Sequence, residues 1–249
     1  MGLAHRAAAQ GENEVNQANN PLAPISALNV QDVFAPSLYG VGGTANTLFV
    51  RPVVTTSFMI VRATLPIATA PTGDPMRPDP PSGLGDASLF DVFLVPSPLE
   101  GLQLGLGPLF VARTATDTAL GTGKWQAGGA AVVVATPSPV LLLGALVTYS
   151  HSFAGDGQRP TQSFLSPQAF VIAQIGAGYY VRSTPIATFD LVAGNYVVPF
   201  GLGVGKVLKA GTTVINAGLE PQITVLHHGV GEPSFQLSAT LNFQFPRGS

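Results

Sequence analysis

The sequence predicts an all-β fold, an antiparallel transmembrane β-barrel of about twelve strands. Three observations predict it: little charge, no stretch able to form a membrane-spanning helix, and alternation of apolar and polar residues. Only 10% of the 249 residues are charged while 46% are hydrophobic, whereas a soluble domain carries about 25% charged residues. The 29 Gly and 22 Pro also disfavour long helices. A barrel accommodates this composition because only every second residue of a strand faces lipid.

The longest apolar stretch, residues 128–149, is interrupted at its centre. A membrane-spanning helix needs about 18 or more apolar residues without interruption. The sequence Pro137-Ser138-Pro139 instead predicts a turn, so the stretch is interpreted as two strands joined by a hairpin. A soluble β-barrel built from the same hairpins is the alternative interpretation.

Alternation is clearest near the C-terminus. In residues 235–245 every odd position is apolar, and every even position is Gln, Ser, Thr or Asn. Residues 215–225 follow the same period, with Glu220 and Gln222 on the polar face. A soluble sandwich would carry Lys or Glu on its water-facing side, whereas amide and hydroxyl side chains are typical of a barrel lumen.

The same alternation along the whole chain predicts twelve strands. They span residues 27–39, 47–55, 58–68, 86–95, 102–113, 124–135, 140–152, 162–174, 179–190, 196–206, 215–225 and 235–245. With both termini in the periplasm, the predicted extracellular loops are on average longer than the short periplasmic turns, as in bacterial barrels. The predicted domains are an N-terminal segment, residues 1–24, and a transmembrane barrel, residues 25–249.

The N-terminal segment, residues 1–24, lacks the alternation of the strands. We expect it to form either a periplasmic tail or a plug inside the lumen, and the residues leave both possibilities open. The candidate plug residues are Asn20, Pro21 and Pro24, because the two prolines prevent regular structure just ahead of the first strand.

Charged residues within the strands are expected to face the lumen, because an arginine facing lipid at mid-depth costs about 2–4 kcal/mol. The candidate lumen-lining or solute-binding residues are Arg51, Arg62, Asp91, Arg113, Arg182, Asp190, Glu220 and Gln222. They would either line a polar passage or pair across the lumen and fill it, as side chains do in small barrels.

No arrangement of residues predicts an enzyme, a metal site or a cofactor. His151 and Ser152 are neighbours on one predicted strand and therefore point to opposite faces, which does not suit a serine nucleophile and its base. His227 and His228 are joined by no carboxylate cluster, with Glu232 as the one candidate carboxylate, and the chain has no Cys. A net charge of −2 gives no basis for nucleic-acid binding.

Several short motifs resemble those of one family. They include Asn20-Pro21-Leu22-Ala23, Gly83-Leu84-Gly85-Asp86, Thr114-Ala115-Thr116-Asp117, Gly123-Lys124-Trp125, Ser152-Phe153-Ala154-Gly155-Asp156 and a closing Phe245-Pro246. Through these motifs the chain resembles the outer-membrane transporter family associated with the MetA pathway of phenol degradation, over residues 20–247. The resemblance implies an outer-membrane barrel and supplies no substrate or catalytic residue. Gly201, Gly203 and Gly205 depart from the larger polar residues expected there, so the lumen is expected to be wider or differently filled at those positions.

Composition, strand pattern and resemblance together predict a protein of the bacterial outer membrane. The expected function is passage of a small, apolar or aromatic solute through a narrow lumen. The alternatives are a structural or adhesive barrel blocked by its own side chains, and a membrane-embedded hydrolase. The expected partners are the lipid bilayer, lipopolysaccharide, a small-molecule solute and the machinery that inserts barrels into the membrane.

Overall fold

The structure is a computed structural model that describes residues 15–97 and 99–246. Its β-segments are β1 (Ser26–Leu38), β2 (Ala45–Thr55), β3 (Met59–Thr69), β4 (Ser82–Leu84), β5 (Ala87–Val95), β6 (Leu102–Ala112), β7 (Lys124–Ser138), β8 (Leu141–Gly155), β9 (Ser163–Gly176), β10 (Tyr179–Ser183), β11 (Thr188–Asp190), β12 (Tyr196–Gly201), β13 (Gly203–Ala210), β14 (Thr213–His228) and β15 (Pro233–Phe245). Residues 15–19 form a helical turn. In the part of the chain that the structure describes, no helix is long and apolar enough to cross a membrane.

The β-segments make twelve strands, because three of the strands are interrupted. β4 and β5 both pair with β3, β10 and β11 both pair with β9, and β12 and β13 both pair with β14. The interruption between β10 and β11 contains Pro185, which has no backbone N–H to donate to a neighbouring strand. The predicted twelve-stranded antiparallel barrel is confirmed.

The barrel closes where β1 meets β15. These strands pair antiparallel from Ser26 opposite Phe245 to Leu38 opposite Pro233. Closure satisfies backbone N–H and C=O groups that an edge strand would leave unpaired. A membrane-spanning sheet requires such closure, because lipid offers no hydrogen-bond partners.

Side chains alternate between the lumen and an apolar outer face. On β5, Phe90 and Val92 are buried, whereas Leu89 and Phe93 are 47% and 43% exposed. The other strands expose large apolar side chains in the same way, among them Leu106, Val171, Val204, Leu219 and Leu241. A continuous apolar belt of this kind is solvated by lipid and not by water, so the barrel is an integral protein of the bacterial outer membrane.

An aromatic cluster on the outer face marks one end of the belt. The ring centroid of Phe110 lies 5.6 Å from that of Trp125 and 6.3 Å from that of Phe153. The longest connections, residues 70–81 and 113–123, lie at this end of the strands. Aromatic girdles and long loops are typical of the extracellular side of such barrels, so the opposite end, with the short turns, is periplasmic.

Candidate functional site

The lumen has an apolar and a polar wall in its periplasmic half. The apolar inward side chains of β5 to β9 form an apolar arc, which consists of Phe90, Val92, Leu94, Leu109, Val132, Leu146 and Phe170. The same strands also point Gln126, Ser150 and Gln168 inward. The polar inward side chains of β10, β14, β15 and β1 to β3 form a polar arc, which includes Arg182, Glu220, Gln222, Gln236, Gln31, Arg51 and Arg62. Val53 and Ile60 also point inward from β2 and β3 and extend the apolar cluster there. Barrels with a water-filled lumen usually carry polar residues on all sides, so the apolar arc is the unusual feature.

Arg182 on β10 and Glu220 on β14 form a buried ion pair in the polar arc. Arg182 Nε lies 3.0 Å from Glu220 Oε2, and the two side chains are 9% and 0% exposed. The carboxylate also accepts hydrogen bonds from the backbone N–H of Thr184 at 2.9 Å, from its hydroxyl at 2.7 Å, and from Gln222 Nε2 at 3.1 Å. Protein groups donate all of these hydrogen bonds to the carboxylate. The pair therefore fills this part of the lumen and holds β10 and β14 together.

Gly201, Gly203 and Gly205 make room for these large neighbours. A Cβ at Gly203 would lie 2.6 Å from the Cβ of Glu220, and a Cβ at Gly205 would overlap the ring of Tyr180. The lumen beside these glycines is therefore differently filled: side chains from β10 and β14 meet across the glycine face of β13.

Tyr180 and Asn216 form a second buried contact that the sequence did not single out. The Tyr180 hydroxyl donates a hydrogen bond to Asn216 Oδ1 at 2.6 Å, and the tyrosine is 1% exposed. Tyr180 shares a strand face with Arg182, and Asn216 shares one with Glu220. The period-two pattern therefore contained the signal, although it gave no reason to choose these two polar positions among others.

Arg51 on β2 and Arg62 on β3 project into the lumen from neighbouring strands. The guanidinium carbon of Arg51 lies 4.3 Å from the ring centroid of Phe49, and that of Arg62 lies 4.1 Å from the ring centroid of Phe90. Cation–π contacts of this length are attractive. Both arginines are half-buried and face the same side of the sheet.

No carboxylate neutralises these two arginines within residues 15–97 and 99–246. The ion pairs of this part of the chain are Arg77–Asp117 and Arg182–Glu220. Arg51 Nη1 donates hydrogen bonds to the neutral side chains of Asn29, at 3.3 Å, and Gln31. The Nε of Arg62 is buried without a hydrogen-bond partner. The described residues thus leave two positive charges uncompensated on one side of the lumen.

Asp91 does not face the lumen, and the prediction that it does is wrong. The buried Phe90 and Val92 fix the direction of their neighbours on β5, so Asp91 lies on the outer face, opposite Val61 of β3. Its Oδ1 is buried and has no hydrogen-bond partner among the described residues. The expectation was based on the cost of a charge in lipid, whereas the packing of the apolar neighbours decides the direction.

Arg113 and Asp190 lie at the extracellular rim. Arg113 follows the last residue of β6 and is exposed. Asp190 ends β11, and its Oδ1 accepts hydrogen bonds from the backbone N–H groups of Val192 and Ala193 at 2.9 and 3.0 Å. Asp190 therefore stabilises the turn that follows it, and neither residue belongs to the polar arc.

Residues 15–24 lie inside the periplasmic end of the barrel. Val15 and Leu22 are 5% and 3% exposed and pack in the same apolar cluster as the apolar arc. On the polar side, Asn216 Nδ2 and Gln244 Nε2 donate hydrogen bonds to the carbonyl oxygen of Ala18, at 3.1 and 2.8 Å. The segment thus packs apolar side chains against the apolar arc and accepts hydrogen bonds from the polar arc.

Two further hydrogen bonds hold this segment to the short turns and the strand ends. Asn16 Nδ2 donates to the carbonyl oxygen of Pro139, and Asn20 Nδ2 donates to Gln103 Oε1, each at 2.7 Å. Pro21 and Pro24 are exposed. A polar cleft of about 630 Å³ separates the segment from the turns at residues 101–103 and 136–139.

Two sequence motifs meet above the strands at the extracellular end. Asp86 Oδ2 accepts hydrogen bonds from the backbone N–H and the hydroxyl of Thr122, at 2.7 and 2.8 Å. A Cβ at Gly83 would overlap the hydroxyl of Thr116, so glycine permits the close approach. The Gly-Leu-Gly-Asp and Thr-Ala-Thr-Asp motifs are therefore parts of one packed extracellular unit.

Asp117 ties the proline-rich connection at residues 70–81 to this unit. Its Oδ2 lies 2.9 Å from Arg77 Nη2. The backbone N–H of Ala119 and, next, the Arg77 guanidinium hold the pKa of Asp117 below its ordinary value. The ionised carboxylate is the form that keeps the two connections together.

The residues considered for an enzyme or a metal site lie apart. His151 is opposite Ala127 and Ser163, on the other face of β8 from Ser152. The ring of His227 stacks on that of Tyr39 with a centroid distance of 3.5 Å. No group of three or more His, Asp or Glu side chains that could hold a metal ion occurs among the described residues.

Solved structures share this architecture. An outer membrane channel from Pseudomonas putida F1 is similar with a TM-score of 0.65 and 14% sequence identity, over 89% of this chain and 94% of that chain. The KdgM porin, in complex with disordered oligogalacturonate, is similar with a TM-score of 0.50 and 6% identity, over 89% of this chain and 99% of that chain. At these identities the likeness concerns the fold alone. No protein-family model and no curated protein matches the sequence.

Proposed function

We propose that this protein is an outer-membrane channel for small apolar or aromatic solutes, closed at its periplasmic end by residues 15–24. The observation that supports the proposal most strongly is the apolar arc inside the lumen. A pore for hydrophilic solutes gains nothing from Leu146 and Phe170 on its inner wall, because apolar side chains do not solvate such solutes. An apolar solute, by contrast, exchanges water contacts for contacts with this wall.

The need for such a channel follows from the outer leaflet. Lipopolysaccharide slows the entry of apolar compounds, so a passage that bypasses the leaflet is useful to the cell. We propose lipopolysaccharide as a partner of the extracellular rim, and the barrel-insertion machinery as a partner during biogenesis. The resemblance to a family associated with phenol degradation is consistent with an aromatic solute.

In the proposed mechanism residues 15–24 are a displaceable plug. Leu22 and Val15 cover the periplasmic end of the apolar arc, in the position that an apolar solute would occupy. Hydrogen bonds between neutral groups, such as Asn20 to Gln103 and Asn216 to Ala18, fix the segment on both sides. Each such bond contributes about 0.5–1.5 kcal/mol net, so solute binding can displace the segment without unfolding the barrel.

A blocked structural barrel is the second candidate, and the Arg182–Glu220 pair favours it. The pair, Tyr180 and residues 15–24 occupy much of the periplasmic half of the lumen. A barrel whose only task is mechanical or adhesive would be filled in this way. The two candidates differ in one measurable property, the entry of a solute.

The experiment measures dye entry into intact cells. A Gram-negative host that lacks its major porins expresses the protein, and the influx of the neutral apolar dye N-phenyl-1-naphthylamine is followed by fluorescence. The proposal predicts faster influx than in cells carrying an empty vector. Equal influx, with folded protein present in the outer membrane, supports the blocked barrel.

A matched pair of variants tests the apolar arc. Leu146→Asn places an amide on the arc, and Thr148→Asn places the same amide at the next inward position of β8. The proposal predicts that Leu146→Asn slows dye influx several-fold while Thr148→Asn leaves it near the wild-type rate. If both variants have the same influx, the apolar arc does not form the path.

A further inference from the structure

Arg51 and Arg62 lie at the boundary between the two walls of the lumen. Arg62 is on β3, the last strand of the polar arc, and its cross-strand neighbour Phe90 on β5 begins the apolar arc. The guanidinium group of Arg62 lies over this ring, 4.1 Å from its centroid. A charged group and an apolar wall are therefore in contact at one place.

Arg51 and Arg62 differ from Arg182 in that no described carboxylate neutralises their charge. Arg182 lies beside Glu220, whose carboxylate neutralises it. Arg51 and Arg62 face the lumen on adjacent strands, and among residues 15–97 and 99–246 their neighbours are neutral and the buried Nε of Arg62 has no hydrogen-bond partner. Half-buried like charges close together are costly without a counter-charge. The described strands supply none: Asp32 and Asp91 are on the outer face, Asp190 bonds to its own turn at the rim, and Glu220 is already paired.

We propose that Arg51 and Arg62 bind the carboxylate of the transported solute, which is then an amphipathic monoanion such as an aromatic carboxylate. The planar guanidinium group matches a carboxylate through two parallel N–H···O bonds. With its carboxylate at Arg62, the solute places its ring against Phe90 and the adjoining apolar arc. The inference rests on the proposed function and adds a preference to it: among apolar and aromatic solutes, those that carry one negative charge bind most tightly.

The position of the pair also suits a passage. Phe49, Arg51, Arg62 and Thr64 all face inward yet remain partly exposed, so an entering solute can reach the guanidinium groups. Arg113, by contrast, lies at the extracellular rim, outside both arcs. It can attract anions from solution by its charge, but it has no apolar wall beside it.

The test is equilibrium dialysis of benzoate against the purified barrel in a non-ionic detergent, with benzamide as the neutral analogue of the same shape. The variants are Arg51→Gln/Arg62→Gln, Arg51→Lys/Arg62→Lys and Arg113→Gln. We expect wild-type protein to bind benzoate at least about tenfold more tightly than the double Gln variant, as expected for the loss of charge-assisted hydrogen bonds. We expect Arg113→Gln to bind like wild type, and benzamide binding to be weak and the same in every variant.

The double Lys variant keeps both charges and removes the planar forks, so we expect it to bind benzoate with intermediate affinity. It also separates loss of binding from loss of folding, which is checked for each variant by its heat-dependent shift in gel mobility. Equal benzoate binding by wild type and the folded Gln variant would overturn the inference. So would an equal loss in Arg113→Gln, since that would indicate attraction by net charge alone.

Binding to purified protein requires no transport, so the two proposals can fail separately. If dye influx is fast and benzoate does not bind, the channel stands and its solute is not an anion. If benzoate binds at Arg51 and Arg62 while dye influx equals that of the empty vector, the site stands and the channel for apolar solutes falls.

Discussion

Arg182 and Glu220 form an ion pair that the lumen solvent does not reach: Nε and Oε2 are 3.0 Å apart, and the carboxylate side chain is 0% exposed. The pair joins β10, which ends just before the interruption at Pro185, to β14. These two segments lie on either side of β13, whose inward residues next to the pair are glycines. Arg182 Nη1 also donates to the hydroxyl of Thr240 on β15, at 2.9 Å. The pair therefore stabilises the part of the barrel where backbone pairing is interrupted.

Glu220→Ala is expected to destabilise the barrel by about 3–5 kcal/mol, because it leaves a buried guanidinium without its counter-charge. Arg182→Met/Glu220→Leu removes both charges, and its free energy of unfolding is expected to be much closer to that of wild type. Urea unfolding in lipid vesicles, followed by the fluorescence of Trp125, measures both. If the double variant is as unstable as Glu220→Ala, the cost does not come from an unpaired charge.

Gly205→Ala is expected to displace the ring of Tyr180, which a Cβ at this position would overlap. Overpacking of this kind costs about 1–3 kcal/mol. It would also break the 2.6 Å bond from Tyr180 to Asn216, the residue that holds the Ala18 carbonyl. We therefore expect faster dye influx together with lower stability.

The matched control is Gly129→Ala, where the nearest atom lies 3.4 Å from the added Cβ. This variant should leave both dye influx and stability near wild type. Faster influx in Gly129→Ala as well would mean that Tyr180 is not the cause.

Asp91→Leu is expected to stabilise the protein, because the outer face then presents an apolar side chain to lipid and no acceptor remains buried without a partner. A buried unsatisfied acceptor costs about 1–3 kcal/mol. The midpoint of urea unfolding should rise accordingly, and dye influx should not change. Reduced influx in the folded variant would contradict the outward orientation of Asp91.

Acid is expected to loosen the extracellular connections through Asp117. The pKa of this carboxyl is lowered in the folded state, so its contribution to stability is present above the ordinary pKa and is lost as pH falls through the lowered pKa. Hydrogen exchange of residues 70–81, corrected for intrinsic rates, should therefore increase below about pH 4. Asp117→Asn should show the increased exchange at neutral pH. Protection in Asp117→Asn equal to that of wild type at neutral pH would argue against this tether.

The strand pattern predicted the fold because every strand of a membrane barrel alternates lipid-facing and lumen-facing residues with a period of two. Each predicted strand corresponds to an observed one, and even the interrupted strands β10–β11 and β12–β13 were predicted as single segments. The interruptions themselves were not predicted, because they depend on which backbone groups a neighbouring strand can pair. Proline at 185 was visible in the sequence, but its position within the sheet was not.

The sequence predicted which face of the strands carries the site residues, but not which side chains they contact. Alternation placed Arg51, Arg62, Arg182, Glu220 and Gln222 on one face, and the structure places them on the inner wall. The sequence could not tell that Arg182 meets Glu220 across a glycine strand, or that Arg51 and Arg62 meet no carboxylate of the residues that the structure describes, because register and barrel closure decide these contacts. Asp91 shows the limit of an argument from charge: the burial of Phe90 and Val92 outweighs the cost of one outward carboxylate.

The most direct test of the central claim uses a reversible cross-link between the N-terminal segment and the wall. Asn20 Nδ2 lies 2.7 Å from Gln103 Oε1, and the chain has no Cys, so a short cleavable thiol reagent can join Asn20→Cys/Gln103→Cys with no competing thiol in the chain. Influx of N-phenyl-1-naphthylamine should be fast before cross-linking, fall to the empty-vector rate after it, and recover on cleavage, while Asn20→Cys alone is unaffected by the reagent. Influx that stays at the wild-type rate in the cross-linked protein would contradict a channel closed by residues 15–24.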